Sequence, residues 1–314
     1  MLKRTSALIK HVPSLSIKFS TTRPVAMTHK LNINSSVKLA SGYELPLLGY
    51  GVYQTPADVC AAVTTHAIKS GYRHVDSATV YRNEEPAAKG MLAAGIEREQ
   101  LFFTSKVPPK EINYQDAKKC VDESLKKTGL AYIDLYLLHA PYGGRDGRLG
   151  AWKALVEAVN EGKVRSIGVS NFGVQHLEEL EAWQKEQSSP KEAGILSVNQ
   201  VELHPWLARP DIVKWCKARN VVLEAYCPLV RATRNEDPTL VPLAKKHNKT
   251  PTQILLRWGL QQGFVILPKS VTPSRIEENT GLYDFELDKE DLEALDTGAY
   301  EPCAWDPTIE PLEK

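Results

Sequence analysis

The sequence predicts a closed parallel (β/α)8 barrel, and three observations carry that expectation. Short apolar segments alternate with helical patterns through eight rounds, which is the unit count of a closed barrel rather than an open sheet. Three of those segments end at or beside a polar group, Asp76, Lys106 or His139, and Tyr81 follows the first by five residues. Groups at separate strand ends converge on one rim only if the sheet closes. Finally, Gly49-Tyr50-Gly51 runs on into Val52, Tyr53 and Gln54 without a third glycine or an immediate helix. That is not the fingerprint of an open dinucleotide-binding sheet, but it suits a strand end where backbone meets ligand closely.

Taken in order, SSVKLASGYELPLLGYG holds two alternating segments about the turn pair Ser41-Gly42, so a β-hairpin is expected to close the barrel bottom. Strands then begin at or near Leu48, Arg73, Leu101, Ile133, Val164, Leu196, Val221 and Phe264. Helices are expected over Pro56–Ser70, Glu84–Ala94, Tyr114–Thr128, Leu149–Glu161, Val174–Gln187, Pro210–Arg219 and Thr252–Gln262. In the third, Ala117, Cys120, Val121, Ser124 and Leu125 recur at helical spacing on one face. Residues 31–314 read as a single domain, with no repeat beyond the βα unit.

Residues 1–30 form a leader rich in Ser, Thr, Lys and Arg; Lys3, Arg4, Lys10, Lys18, Arg23 and Lys30 all precede the first acid, Glu44. It reads as a mitochondrial presequence, against a disordered arm on a cytoplasmic enzyme with translation starting at Met27. The whole chain has 39 basic and 38 acidic residues, so the body without the leader keeps 33 basic against 38 acidic. A mildly acidic body disfavours nucleic acid or an anionic membrane as partner, and no apolar run is long enough to span a bilayer. Five widely spaced cysteines, with no C-x-x-C pair, argue for reduced thiols without a disulfide framework or metal site.

An acid, a phenol, an ammonium and an imidazole at one rim suit proton donation to a carbonyl. Taken singly, each has a plain structural reading: Asp76 a turn acid, Tyr81 a loop aromatic, Lys106 a solvated strand end, His139 a core histidine. Together with GYRHVDSATVYRNE, LLHAP, GKVRSIGVSNF, NQVELHP and ILPKSVTPSRIEEN, they make the chain, from about Val37 to about Asp296, resemble the aldo-keto reductase family. Within it the likeness is to aldose- and aldehyde-reductase-like members, fungal more than animal.

The resemblance implies a monomeric (β/α)8 TIM barrel that reduces an aldehyde or ketone with NADPH, as an alcohol:NADP+ oxidoreductase of the alditol-forming kind. It implies a catalytic tetrad of Asp76, Tyr81, Lys106 and His139. Tyr81 would protonate the alkoxide, with its pKa brought from ~10 toward ~7 by Lys106, itself held charged by Asp76. His139 would orient the carbonyl as a neutral hydrogen-bond donor. The cofactor would lie along Gly51, Val52 and Tyr53, with Ser170, Asn171 and Gln200 on the carboxamide and Tyr226 stacked on the nicotinamide. Leu229 would strap the pyrophosphate, Lys269, Ser270, Thr272 and Arg275 would grip the 2′-phosphate, and Glu278 and Asn279 would read the adenine.

The expected substrate wall is Tyr53, His139, Tyr142 and Trp305, with Val230, Arg231 and the loop from Pro141 to Arg148 beside it. Arg145, Arg148 and Arg231 admit an acidic carbonyl substrate, although ordinary surface arginines are the favoured reading. Two departures from the family pattern, Ala140 after His139 and Cys227 after Tyr226, imply a wider pocket. Cys227 reads as a buried inert thiol ahead of a redox-sensitive one. Two other classes are open to such a chain: a cofactor-loaded regulatory or interaction subunit, disfavoured by the complete tetrad, and a metal-dependent hydrolase, disfavoured by the lack of an H-x-H or H-E-x-x-H ligand pair.

Overall fold

The computed structural model describes residues 30–314; residues 1–29 of the predicted leader, with its Met27 start, lie outside them. Strands β1 (Ser36–Lys38) and β2 (Glu44–Pro46) pair antiparallel with Val37 opposite Leu45. Gly42 turns the chain between them at φ +96, a left-handed conformation that carries no steric penalty in glycine. Leu39 and Leu45 are buried. The Ser41 hydroxyl lies 2.7 Å from that of Ser166, and the Arg165 guanidinium stacks 5.3 Å over the Tyr43 ring. Both contacts fall at the start of the strand carrying residues 165 and 166, so the hairpin covers the N-terminal end of the barrel, as the sequence predicted.

Eight parallel strands follow: β3 (Gly49–Gly51), β4 (His74–Asp76), β5 (Phe102–Val107), β6 (Ile133–Leu138), β7 (Val164–Ser170), β8 (Leu196–Glu202), β9 (Val222–Tyr226) and β10 (Val265–Ile266). Each pairs with the next in chain order. Closure is made by a parallel bridge from Leu48 to Ile266, with Ile266 N donating to Leu47 O at 2.9 Å and Gly51 N to Pro268 O at 3.0 Å. Every residue of β5, β6 and β8 is buried, as expected of parallel strands covered on both faces.

Helices α1 (Ala57–Lys69), α2 (Glu84–Leu92) and α3 (Tyr114–Thr128) agree with the predicted spans to within two residues. In α3, Asn113 caps the N-terminus by accepting from Asp116 N at 3.0 Å, and Gly129 ends it at φ +68. Its predicted inward face is buried except for Leu125, which is half-buried. Helices α1 and α2 pack so closely at Gly90 that a Cβ there would lie 2.3 Å from Ala61 O.

Helix α4 (Gly144–Asn160) starts five residues before its predicted start. The glycines at 143, 144 and 147 read as loop because glycine weakens isolated helices. Here they serve contact instead: a Cβ on Gly147 would meet Ile112 O at 2.6 Å. Helices α5 (Val174–Glu186), α7 (Pro210–Ala218) and α9 (Pro251–Gln261) stand as predicted to within a residue. Helices α6 (Pro190–Ala193), α8 (Leu240–His247) and α11 (Lys289–Ala294) were not predicted from the sequence. These are short segments, four, eight and six residues long, that lie outside the βα alternation. Helix α10 (Pro273–Glu278) follows β10.

Candidate active site

The predicted polar groups do meet, at the C-terminal ends of β4 to β9. Lys106 is fully buried near the end of β5, where an unpaired ammonium would be severely destabilising. Its Nζ lies 2.8 Å from each oxygen of Asp76, which ends β4, and 2.7 Å from Ser77 O. Tyr81 ends a single 3-10 turn, Thr79–Tyr81. That turn is docked on β5 by the Thr79 hydroxyl, which donates to Lys106 O at 3.0 Å. The Tyr81 ring centroid lies 5.2 Å from Lys106 Nζ and 5.7 Å, edge-on, from the His139 ring.

Above these groups opens a cleft of about 1110 Å³. Asp76, Tyr81 and His139 border it, with Tyr53 and Trp305 beside them; Lys106 sits behind, out of contact with the space. Tyr53 packs 5.1 Å from Tyr81, and Trp305 packs 6.3 Å from His139.

The electrostatics of the phenol depart from expectation. Burial, and next the Asp76 charge, hold Tyr81 well above the ordinary phenol value instead of lowering it. Burial is the larger cause, and Asp76, the partner of Lys106, adds to the rise. Burial, and then the Lys106 charge, push His139 well below the ordinary imidazole value. The cleft therefore presents two neutral donors, a protonated phenol and an uncharged imidazole, at neutral pH. His139 Nδ1 is buried without a partner, so Nε2 is the nitrogen that can donate into the cleft.

Along one wall the chain ends of β7, β8 and β9 are cross-linked. Ser170 Oγ donates to Gln200 O at 2.9 Å, Asn171 Nδ2 donates to His139 O at 3.0 Å, and the Tyr226 hydroxyl donates to Asn171 Oδ1 at 2.7 Å. Asn171 holds φ +62 at this turn, so Ser170 and Asn171 are not the cap of α5, which is Gly173. Gln200 Nε2 donates to Asp76 Oδ2 at 2.9 Å and to Glu224 Oε2 at 2.8 Å. Its carbonyl oxygen is what remains to offer a ligand. Farther along, Gly51, Leu229, Lys269, Ser270, Arg275, Glu278 and Asn279 line the same cleft.

A model of the Aldo/keto reductase family matches residues 48–298. The chain belongs to the aldo/keto reductase family. An uncharacterized oxidoreductase of Schizosaccharomyces pombe is 42% identical over 285 residues, spanning 89% of this chain and 100% of that one. The glyoxal reductase of Bacillus subtilis is 40% identical over 267 residues, 84% of this chain and 93% of that one. Among solved structures, an aldo/keto reductase from Brucella melitensis superposes with a TM-score of 0.77 at 39% identity, over 83% of this chain and 98% of that one.

Among the residues predicted to touch ligands in this aldo/keto reductase, Val52, Thr272 and the buried Val230 do not line the cleft, nor does any residue from Pro141 to Arg148, Tyr142 included, since 144–148 open α4 instead of forming a loop. Val52 is fully buried, its N–H donating to Asp76 O and its carbonyl accepting from Asn83 Nδ2. Thr272 is the cap residue of α10 and bonds to Ser270. Tyr142 stands behind Trp305, edge-on at 5.8 Å, with Lys314 over its ring, so it supports the wall instead of forming it. Of the three arginines considered for an acidic substrate, Arg148 is buried in an ion pair with Glu179, while Arg231 lines the cleft.

Sequence reasoning also missed parts of the reductase's rim. Glu224, two residues inside β9, is fully buried, and burial followed by the Asp76 charge raises it to about 8. It is thus a neutral acid beside Gln200, 3.9 Å from His74 Nε2. An acid inside the apolar run VVLEAY was the available signal. The anchors of the C-terminal tail were missed as well. Glu202 accepts from the backbone N–H of Cys303 at 2.7 Å and of Ala304 at 3.1 Å, and Arg209 Nη2 donates to Asp306 Oδ1 at 2.9 Å. These bonds fix Trp305 over His139.

Proposed function

We propose that this aldo/keto reductase reduces small aldehydes and ketones with NADPH, Tyr81 supplying the proton and His139 orienting the carbonyl. The observation that carries the reading is the pair of neutral donors, Tyr81 and His139, with ring centres 5.7 Å apart on the floor of one cleft. A carbonyl oxygen between them would accept from both. As negative charge grows on that oxygen, the Tyr81 proton transfers to it and the His139 hydrogen bond strengthens.

Lys106 and Asp76 act through position. The ammonium beside the ring stabilises the phenolate that remains, and Asp76 keeps the ammonium charged and aimed. The phenol is protonated at neutral pH, so it holds the proton that the alkoxide needs. Uptake of a proton from solvent then resets Tyr81.

The donor set also fits a phosphorylated nicotinamide dinucleotide, which when bound supplies the hydride. Tyr226 offers a ring for stacking, and Ser170, Asn171 and Gln200 offer amide-recognising groups. Lys269 and Arg275, at the far end of the cleft, offer cations to a 2′-phosphate. Burial alone lowers Lys269 from the ordinary lysine value, as expected of an ammonium kept for an incoming anion. That the Bacillus subtilis relative is a glyoxal reductase favours α-dicarbonyls as the first substrates to try.

The experiment follows NADPH consumption by the purified full chain against glyoxal, methylglyoxal, simple aldehydes, ketones, keto acids and hexoses. Repeated turnover on an α-dicarbonyl or simple aldehyde is the expected result. Tight NADPH binding with no turnover on any member would favour a regulatory subunit instead.

A further inference from the structure

Gln200 and Glu224 are register partners on β8 and β9, so their side chains leave the sheet on the same face. That face is the barrel interior, where Gln200 reaches across to Asp76 on β4. Branched aliphatic side chains normally fill such an interior. Glu224 departs from that rule at a cost. It is fully buried, and its Oε1 has no hydrogen-bond partner among the described residues, standing 3.9 Å from His74 Nε2. A buried polar atom left in that state destabilises a fold. The other oxygen of the same carboxyl group is engaged, and its partner is Gln200.

A side-chain amide has two N–H groups at one end and a carbonyl oxygen at the other. Both N–H groups of Gln200 are taken, one by Asp76 Oδ2 at 2.9 Å and one by Glu224 Oε2 at 2.8 Å. Turning the amide over would set its carbonyl oxygen against the Asp76 carboxylate. With Asp76 alone, however, only one N–H would be held, and the amide would swing about that single bond. Glu224 removes the swing. Gln200 lines the cleft, so the end it shows there is an acceptor.

We propose that Glu224 is a positioning residue for the cofactor: by holding the second N–H of Gln200 it locks that amide carbonyl-outward, so that this wall of the cleft selects a dinucleotide whose nicotinamide carries an N–H-bearing carboxamide. A methyl ketone in place of the carboxamide has no N–H to give and would leave the Gln200 oxygen unanswered. The selection rests on the reading above that Ser170, Asn171 and Gln200 receive the carboxamide; the lock between Glu224 and Gln200 does not. The same amide bonds to Asp76, which holds Lys106, so the cofactor wall and the tetrad share one side chain.

The test compares calorimetric binding of NADPH to the full chain with binding of its reduced 3-acetylpyridine analogue, in which a methyl ketone replaces the carboxamide. The wild type should favour NADPH about tenfold, as expected for one hydrogen bond to an otherwise unpaired acceptor. Glu224→Met, similar in length but without an acceptor, should weaken NADPH about tenfold and leave the analogue almost unchanged, so that the preference disappears. Glu224→Gln keeps an acceptor oxygen and should restore it. A merely structural role would weaken both cofactors alike. A second readout needs no cofactor: exchange of the Gln200 side-chain amide protons, followed by NMR in the free protein, should be at least about tenfold faster in Glu224→Met. The proposal is overturned if the preference survives Glu224→Met, if Glu224→Gln fails to restore it, or if the Gln200 amide exchanges equally fast in Glu224→Met and wild type. A wild type that binds no NADPH would overturn the cofactor reading and the selection with it, while the exchange rates would still decide the lock.

Discussion

Lys106 directs its ammonium at Asp76 with 2.8 Å to each carboxylate oxygen, and both groups are buried. Removing one partner of such a pair leaves the other charge uncompensated, at about 3–5 kcal/mol. Lys106→Met should therefore destabilise the fold by that order in urea unfolding and lose carbonyl reduction as well. Asp76→Asn, which keeps the shape of the partner, should lose reduction too. A Lys106→Met chain of native stability would contradict the pairing.

Below the tetrad, His74 and Glu224 set opposite limbs of a stability profile. His74, lowered to about 3 by burial, stays neutral while the unfolded chain takes up a proton below its ordinary value of 6.5, so stability falls as pH drops from 6.5 toward 3. At ~1.4 kcal/mol per unit the loss is at most about 5 kcal/mol. Glu224, raised to about 8, keeps a proton that the unfolded chain releases above 4.5, so stability also falls as pH rises from 4.5 to 8. Urea midpoints should peak between these limbs. His74→Gln should flatten the acid side and Glu224→Gln the alkaline side; a wild-type midpoint still climbing from pH 6.5 to 8 would refute the Glu224 assignment.

Helices α1 and α2 touch through Gly90, where an added methyl would press on the Ala61 carbonyl at 2.3 Å. Gly90→Ala raises intrinsic helix propensity, yet overpacking should win and lower stability by about 1–3 kcal/mol. A calorimetric melt decides the sign.

Lys269 and Arg275 both line the cleft. Hydrogen bonds to charged groups contribute about 1.5–3 kcal/mol, so Lys269→Ala or Arg275→Ala should weaken NADPH binding roughly tenfold or more and leave NADH binding almost unchanged. Equal effects on both cofactors, measured by fluorescence titration, would remove the 2′-phosphate assignment.

The barrel was legible because its signals are local and repeated: eight apolar segments, helical periodicity as in α3, and a Ser41-Gly42 turn between alternating runs. The convergence of Asp76, Tyr81, Lys106 and His139 was legible because strand ends share a rim. What escaped was long-range. The glycines that open α4 read as loop until Ile112 is seen packed against them. Glu224 looked like an oddity of an apolar strand, since its partners Gln200 and His74 are 24 and 150 residues away. The rise of the Tyr81 pKa comes first from burial and then from the Asp76 charge, a matter of packing that spacing does not encode. The tail is held by Glu202 and Arg209, about a hundred positions upstream.

The central claim is that the Tyr81 phenol is the proton donor of a carbonyl reduction. Its most direct test measures single-turnover reduction by Tyr81→Phe with NADPH saturating and its binding checked separately by fluorescence. Loss of a positioned general acid costs about a hundredfold to ten-thousandfold in rate, so the account predicts a fall of at least that order with cofactor affinity intact. Reduction by Tyr81→Phe at the wild-type rate would contradict it.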